Sequence, residues 1–168
     1  DGVAPPDMVL PVSFSPDAQS AFDALLAACT GDPACSARHP GLRRDWDALL
    51  ASLPKTVTVP HPLTGRDETV SLTRDMVLGM VRLPLYAPVL AAALPHAITE
   101  AARGRFVPLL GLGNALLSGP EMRMASGMHF SVICAEDMPR LVASGAAAAR
   151  DFGTGLAPLY EQACASWP

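Results

Sequence analysis

The sequence contains 168 residues, of which 50% are hydrophobic and 17% charged, and its formal net charge is −4. This length suits one domain with a hydrophobic core, whereas the acidic balance and the scattered basic residues exclude a nucleic-acid-binding surface. The longest uncharged run, residues 83–99, contains three prolines and is shorter than the ~20 residues of a spanning helix, so we expect no membrane span.

The N-terminal part of the chain divides into a connector and a first helix. Residues 1–13 are rich in proline and predict an extended connector. Ser15 is predicted as the N-cap of the following helix, with Pro16 as its first residue and Gly31 at its end. The helical spacing is carried by Phe22, Leu25, Leu26 and Cys29. The predicted organisation is therefore a connector over 1–13 and one helical domain over 14–168.

The middle of the chain predicts a second helix and a β-hairpin. Residues 41–53 place apolar side chains on one helical face, with Trp46 as a core anchor. Two β-branched segments, residues 56–59 and 69–72, alternate with a period of two around a polar loop. They predict a hairpin over about residues 56–72. Because a two-stranded hairpin is marginally stable alone, we expect it to pack on other parts of the protein.

The rest of the chain is predicted to be helical. Thr73 is a suitable N-cap, and residues 89–103 form a helix that Pro95 should kink or divide. Residues 106–117 are apolar almost all round, and their glycines permit close approach of a neighbour. Two further helices are expected at residues 141–150 and 156–165. The predicted fold class is mainly α, an irregular helical bundle with one β-hairpin.

Four cysteines permit three pairings. Cys29 and Cys35 flank a turn-like sequence that could bring them together, which leaves Cys134 and Cys164 as a long-range pair. We favour these two disulfides, which would place folding in an oxidising compartment; the alternative is four buried free thiols. No tight Cys-x-x-Cys occurs, and the histidines are expected to be surface, capping or interior residues, so no metal or other cofactor is expected.

An apolar helical segment ends in a cysteine, two acids and a proline: Gly127-Met128-His129-Phe130-Ser131-Val132-Ile133-Cys134-Ala135-Glu136-Asp137-Met138-Pro139-Arg140. At ~100° per residue, His129, Ile133 and Glu136 fall on one stripe. Cys134 points away from that stripe, to the side of Phe130 and Met138. Two acids at a helix C-terminus oppose the helix dipole, so we expect a compensating group.

Two interpretations of these acids stay open. Asp137 could cap a new helix that has Pro139 in its first turn, with Glu136 solvated or paired with Arg140. Alternatively, Glu136 could face a pocket and bind a cation such as a substrate ammonium group. Met128 belongs to a methionine-rich stretch, which suits either an adaptable binding surface or an irregular core.

The segment Met-His-Phe-Ser-Val-Ile-Cys-Ala-Glu-Asp-Met-Pro at residues 128–139 resembles the helical cap of tripeptidyl-aminopeptidase-like and proline-iminopeptidase-like α/β-hydrolases. The first residues are also similar to the segment that enters that cap: Asp1-Gly2-Val3-Ala4-Pro5-Pro6-Asp7. The resemblance covers nearly the whole chain but only the cap of the family. It implies a cap-type bundle in which Glu136, then Asp137, hold the free amino terminus of a substrate, with His129 and Met128 in the same cavity.

The family's catalytic machinery is missing from this sequence. No Gly-x-Ser-x-Gly nucleophile turn occurs, so no residue is assigned as catalytic. We expect the chain to be inactive alone and to work with the catalytic core of a longer parent protein, a serine peptidase or hydrolase acting on peptides or small amides.

The composition leaves two functions to weigh. The charged fraction is below the ~25% usual for soluble domains, as a cap covering a catalytic core would require. Because a lipid carrier or an obligate oligomer would need such a composition too, the first hypothesis follows from the resemblance: a substrate-selecting cap of a secreted or periplasmic serine hydrolase. The alternative is a free-standing, disulfide-stabilised helical module that binds an apolar ligand or a protein partner. Separating a cap from its core would expose apolar surface, so we expect the isolated chain to self-associate.

Overall fold

The computed structural model describes residues 9–61, 64–115, 125–144 and 148–168. Over these ranges the fold is mainly α with a single two-stranded antiparallel hairpin, which confirms the predicted fold class. The helices are α1 (Leu10–Gly31), α2 (Pro33–Arg38), α3 (Leu42–Ala51), α4 (Arg74–Arg82), α5 (Pro88–Ala91), α6 (Leu94–Ala102), α7 (Val107–Ala115), α8 (Ser126–Val132), α9 (Met138–Ser144) and α10 (Ala157–Cys164), with strands β1 (Lys55–Pro60) and β2 (Asp67–Leu72).

The chain forms two compact units. Unit 1 combines residues 1–20 with residues 123–168, and unit 2 comprises residues 21–122. Their boundary falls within helix α1. None of the helices in the described ranges is both long enough and apolar enough to cross a membrane.

Helix α1 starts earlier than the sequence predicts. It begins at Leu10, so the expected extended connector is wrong for residues 10–13, and the expected N-cap, Ser15, is buried inside the helix. Pro16 lies in the helix interior, where it removes one backbone hydrogen bond. The helix continues through Pro16 because apolar side chains on both sides of it are buried, which offsets that cost. The connector's first eight residues lie outside the described ranges.

Unit 1 is built on a small apolar core. Its buried members are Ile133, Met138, Leu141, Ala157 and Tyr160, against which Val9, Leu10, Val12, Phe14, Phe130, Leu156 and Cys164 pack. The first turns of α1 thus belong to this core rather than to a connector. The Phe14 and Tyr160 rings lie 6.1 Å apart between centroids. α10 matches the predicted helix within one residue at each end.

A polar loop is tied to α1 within unit 1. The Gln19 side chain donates to the Asp151 carboxylate over 3.1 Å and accepts the Asp151 backbone N–H over 2.8 Å. Ser15 Oγ lies 2.9 Å and 2.7 Å from the carbonyl oxygens of Phe152 and Gly153.

The predicted helix over 141–150 is wrong at its end, because Ala149 forms a β-bridge with Gly153 instead.

The core of unit 2 surrounds an aromatic pair. Trp46 on α3 is 0% exposed, and its ring centroid lies 4.9 Å from that of Phe22 on α1. α3 packs on α6 and α6 packs on α7, which buries Leu94 and Ile98. The prediction that Trp46 anchors the core is confirmed.

The hairpin forms where the alternation of hydroxyl and apolar side chains in the two β-branched segments predicts it. β1 and β2 pair antiparallel, with Thr56 opposite Ser71 and Val57 opposite Val70. The alternation turns the valines to the better-covered face and the hydroxyl side chains to the solvent. The turn is closed by the His61 N–H, which donates to the Arg66 carbonyl over 2.8 Å.

Local signals fix the helices that follow. Thr73 caps α4 through its hydroxyl, which accepts the Met76 N–H over 3.3 Å. The predicted helix over 89–103 is divided into α5 and α6, as Pro95 allows, and Pro95 lies in the first turn of α6, where no N–H is needed. Gly113 on α7 meets α4, because a Cβ there would lie 2.6 Å from Met80 Cγ.

Candidate functional site

The segment with the two acids is a continuous helix interrupted by one π turn. α8 runs into a π turn over Ile133–Asp137, and α9 follows directly. The Met138 N–H donates to the Ile133 carbonyl five residues earlier. Pro139 accounts for the widening, because its ring would clash with the carbonyl four residues before it in a regular α-helix. Single π turns occur often at functional sites.

The π turn changes which side chains share a face. Residues five apart differ by ~140° in a regular α-helix, yet Ile133 and Met138 both enter the core of unit 1. The predicted stripe of His129, Ile133 and Glu136, opposite Met138, is therefore wrong. Ile133 points inward while Glu136 is exposed.

Asp137 is buried and paired with a cation. The Arg140 guanidinium donates to the Asp137 carboxylate over 2.8 Å, and the two side chains are 42% and 8% exposed. Arg140 also donates to the Glu136 carbonyl oxygen over 3.0 Å. Arg140 is thus the compensating group that two adjacent acids require. Asp137 lies inside the π turn and does not cap α9, since the helix does not end there.

Glu136 presents its carboxylate differently. The residue is exposed, and within the described ranges its carboxylate takes part in no hydrogen bond or ion pair. Its backbone is held by the π turn and by the contact from Arg140. The two neighbouring acids therefore differ in state: one is neutralised in the interior, and the other is open to a ligand.

His129 and Met128, the other two predicted binding residues, point to different surroundings. His129 Nε2 lies 2.8 Å from the Tyr160 hydroxyl, and its ring packs edge-on against Phe130 and Tyr160. This places His129 against α10. Met128 is 69% exposed.

Two aromatic residues near this segment were not foreseen. Tyr160 contacts His129, Phe130 and Phe14, and the Trp167 indole N–H donates to Ser131 Oγ over 3.2 Å. The signal for Tyr160 was present, because it lies one helical turn before Cys164 and so faces the same neighbour as that cysteine.

Both predicted disulfides form. Cys29 pairs with Cys35 and Cys134 with Cys164, with Cα–Cα distances of 5.1 Å and 5.2 Å, and no cysteine is free. The second bond joins the π turn to α10, two residues from Glu136. The disulfides are compatible with an extracellular or otherwise oxidising compartment.

The remaining histidines lie in unit 2. His39 caps the end of α2, and its Nδ1 lies 3.0 Å from the Thr99 hydroxyl. Burial lowers the pKa of His39, and His96, Arg38 and Arg103 lower it further. Among the residues with described positions, no three His, Cys, Asp or Glu side chains come together as a metal site.

No protein-family model, no curated protein and no solved structure matches this chain. The family resemblance of the Cys-Ala-Glu-Asp segment accordingly stays a prediction.

Proposed function

We propose that this chain is the substrate-selecting cap of an aminopeptidase-like serine hydrolase of the α/β type. The observation that carries the proposal is the contrast between the two adjacent acids. Glu136 holds an exposed carboxylate on a constrained turn, whereas Asp137 is neutralised by Arg140. A free amino terminus is a compact cation, and an exposed carboxylate on a constrained backbone is the group that would bind it.

The surroundings of Glu136 suit a peptide substrate. Met128 and Val132 on α8 are exposed in the same unit as Glu136, and the flexible methionine side chain can contact an apolar side chain of a bound peptide. The Cys134–Cys164 disulfide holds the π turn against α10. A ligand would therefore meet a preformed turn, which lowers the entropic cost of binding.

The acyl-transfer chemistry belongs to another part of the parent protein in this proposal. The sequence has no nucleophile turn, so the reactive serine, its histidine and its acid would come from a catalytic core. The cap would exclude water and select the end of the substrate. Two disulfides in one chain support a secreted or periplasmic parent.

The coding sequence on both sides of this chain gives the first test. We expect a Gly-x-Ser-x-Gly segment upstream and an aspartate and a histidine segment downstream. The full-length product should then react with a fluorophosphonate probe and release the N-terminal part of unblocked peptides. The isolated chain should do neither. Peptidase turnover by the isolated chain, or flanking sequence without these segments, would refute the proposal.

The alternative is a free-standing helical module that binds a partner. It is favoured by Tyr86 and Val89 in unit 2, which are strongly exposed for their size. A signal peptide ending directly before Asp1 and a stop codon directly after Pro168 would select this alternative over the cap.

A further inference from the structure

Unit 2 contains an open groove that the cap proposal does not use. It lies between the C-terminal half of α1 and the first turns of α3, and the turn after α2 closes one end. Its volume is about 680 Å³, within the range of small-molecule sites. Leu26 and Cys29 from α1 and Leu42 from α3 supply apolar lining.

The walls of the groove are held in place by covalent and polar contacts. The Cys29–Cys35 disulfide joins α1 to α2. Asp32 caps α2 by accepting the Cys35 N–H over 2.7 Å. His39 is fixed by the Thr99 hydroxyl. Because its walls are already constrained, the groove would bind a ligand at a low entropic cost of ordering side chains.

The polar side of the groove has two arginines in different states. Arg43 forms a two-pronged ion pair with Asp47, so its charge is satisfied within α3. The Arg44 side chain is 82% exposed, and its closest contact with Asp45 is 3.7 Å long. Its guanidinium folds over Gly41, where a Cβ would lie only 2.5 Å from Nη2. Arg44 is thus a weakly engaged cation beside an apolar lining.

His39 adds a neutral wall to this arrangement. Burial, followed by the charges of His96, Arg38 and Arg103, lowers its pKa. At neutral pH its imidazole is therefore mostly uncharged. The groove accordingly combines an apolar surface, the Arg43–Asp47 ion pair, the loosely held Arg44 guanidinium and a neutral ring.

We propose that this groove binds a small apolar carboxylic acid. The carboxylate would pair with Arg44, and the hydrocarbon would lie along Leu26, Cys29 and Leu42. The charge complementarity selects an anion, and the apolar lining selects a hydrocarbon chain. The site lies in unit 2 and is independent of Glu136, so it stands or falls separately from the proposed cap function.

The test uses the full 168-residue chain with both disulfides intact. Amide NMR shifts are followed during titration with hexanoate, octanoate and octanamide. We expect shifts concentrated in residues 26–47. Octanoate should bind about fourfold tighter than hexanoate for each additional CH₂ group. It should bind about fivefold tighter than the uncharged octanamide.

Arg44→Gln should reduce octanoate affinity about fivefold, to the level of the amide, and should leave octanamide binding unchanged. Arg66→Gln, which removes an exposed arginine from the hairpin turn, is the matched control and should have no effect. Equal affinity for octanoate and octanamide would overturn the proposal. So would shifts outside residues 26–47 or an equal loss in both variants.

Discussion

At the scale of single residues, adjacent acids in one turn have opposite environments. Asp137 is covered and paired, while the neighbouring Glu136 is exposed. The π turn explains the contrast, because it places Ile133 and Met138 in the core together and so rotates the intervening residues. A cationic ligand can therefore reach the carboxylate of Glu136 and not that of Asp137.

Glu136→Gln in the full-length protein tests that availability. It should weaken transition-state binding of peptides with a free amino terminus by on the order of 2–4 kcal/mol, because an ion pair with a bound ammonium is lost. N-acetylated peptides, which have no such cation, should be affected much less. The measurement is kcat/KM for matched free and acetylated substrates.

Glu161→Gln is the control for this experiment, since Glu161 is an exposed glutamate on α10 in the same unit. Glu161→Gln should leave kcat/KM unchanged for both the free and the acetylated peptides. If Glu136→Gln lowered kcat/KM equally for free and acetylated peptides, Glu136 would not be the group that binds the amino terminus.

Arg140 should matter for stability rather than for binding. Arg140→Met removes the cation from the buried Asp137 carboxylate and should lower the free energy of unfolding by about 1–2 kcal/mol. This is less than for a fully buried pair, because the Arg140 side chain is 42% exposed.

Urea denaturation of a double-mutant cycle checks this prediction. Asp137→Asn combined with Arg140→Met should be more stable than Arg140→Met alone, because no charge is then left buried. A double variant whose loss equals the sum of the two single losses would show that the ion pair contributes nothing.

At the scale of secondary-structure elements, close packing of α4 and α7 depends on one glycine. A Cβ at Gly113 would lie 2.6 Å from Met80 Cγ and 3.1 Å from its Cα. Gly113→Ala should therefore destabilise unit 2 by about 1–2 kcal/mol through overpacking. Thermal denaturation with calorimetry would measure the loss.

Gly111 provides the matched control in the same helix. A Cβ at Gly111 meets nothing within 4 Å, so Gly111→Ala should stabilise the helix by about 0.5–1 kcal/mol, the difference in helix propensity. Equal effects of the two substitutions would show that α4 and α7 do not approach as closely as described.

The stability that uncharged His39 contributes to unit 2 should be lost in acid. Burial and the positive charges of His96, Arg38 and Arg103 lower the pKa of His39 below its usual 6.5, with Asp45 opposing them. The unfolded chain then binds a proton more readily than the folded chain, so this stability is present above about pH 6.5 and is lost as pH falls.

Chemical denaturation of His39→Asn at several pH values between 7 and 5 isolates this contribution. Asparagine does not titrate, so the variant should lose less stability than the parent over that interval. His61→Asn in the hairpin loop is the control. If the free energy of unfolding changed with pH in the same way for His39→Asn and the parent, His39 would not be the source of the acid-induced loss of stability.

Local signals in the sequence predicted much of these elements. The Thr73 cap, the division at Pro95 and the hairpin over about residues 56–72 each depend on a few neighbouring residues. The early start of α1 depends instead on contacts made by residues distant in sequence, and the π turn before Pro139 departs from the regular helical period. A search for apolar residues with a fixed helical period of 3.6 predicts neither the early start of α1 nor the π turn.

The candidate site was predictable in composition but not in geometry. The adjacent acids and the disulfide partners were identified from residue types and spacing. The contact of His129 with Tyr160 joins α8 to α10 across 31 residues of sequence, and the pairing of the buried Asp137 with Arg140 depends on the π turn. The anchoring of Asp151 by Gln19 joins residues 132 apart in sequence, which no local pattern encodes.

At the scale of the whole molecule, each compact unit contains one disulfide. Cys134–Cys164 closes 30 residues in unit 1, whereas Cys29–Cys35 closes six in unit 2. Loop-closure entropy predicts a stabilisation of about 3.5 kcal/mol for the longer loop and about 2 kcal/mol for the shorter one.

Serine replacement of each cysteine pair separates the two contributions. Removing Cys134–Cys164 should accelerate amide hydrogen exchange in α8, α9 and α10 and leave the core amides of α3 and α6 more protected, because cooperative units lose protection as blocks. Removing Cys29–Cys35 should accelerate amide hydrogen exchange mainly in α2 and at the end of α1. Uniform loss of protection in both double variants would mean that the chain unfolds as one cooperative unit. The stability of the π turn that contains Glu136 would then depend on both disulfides.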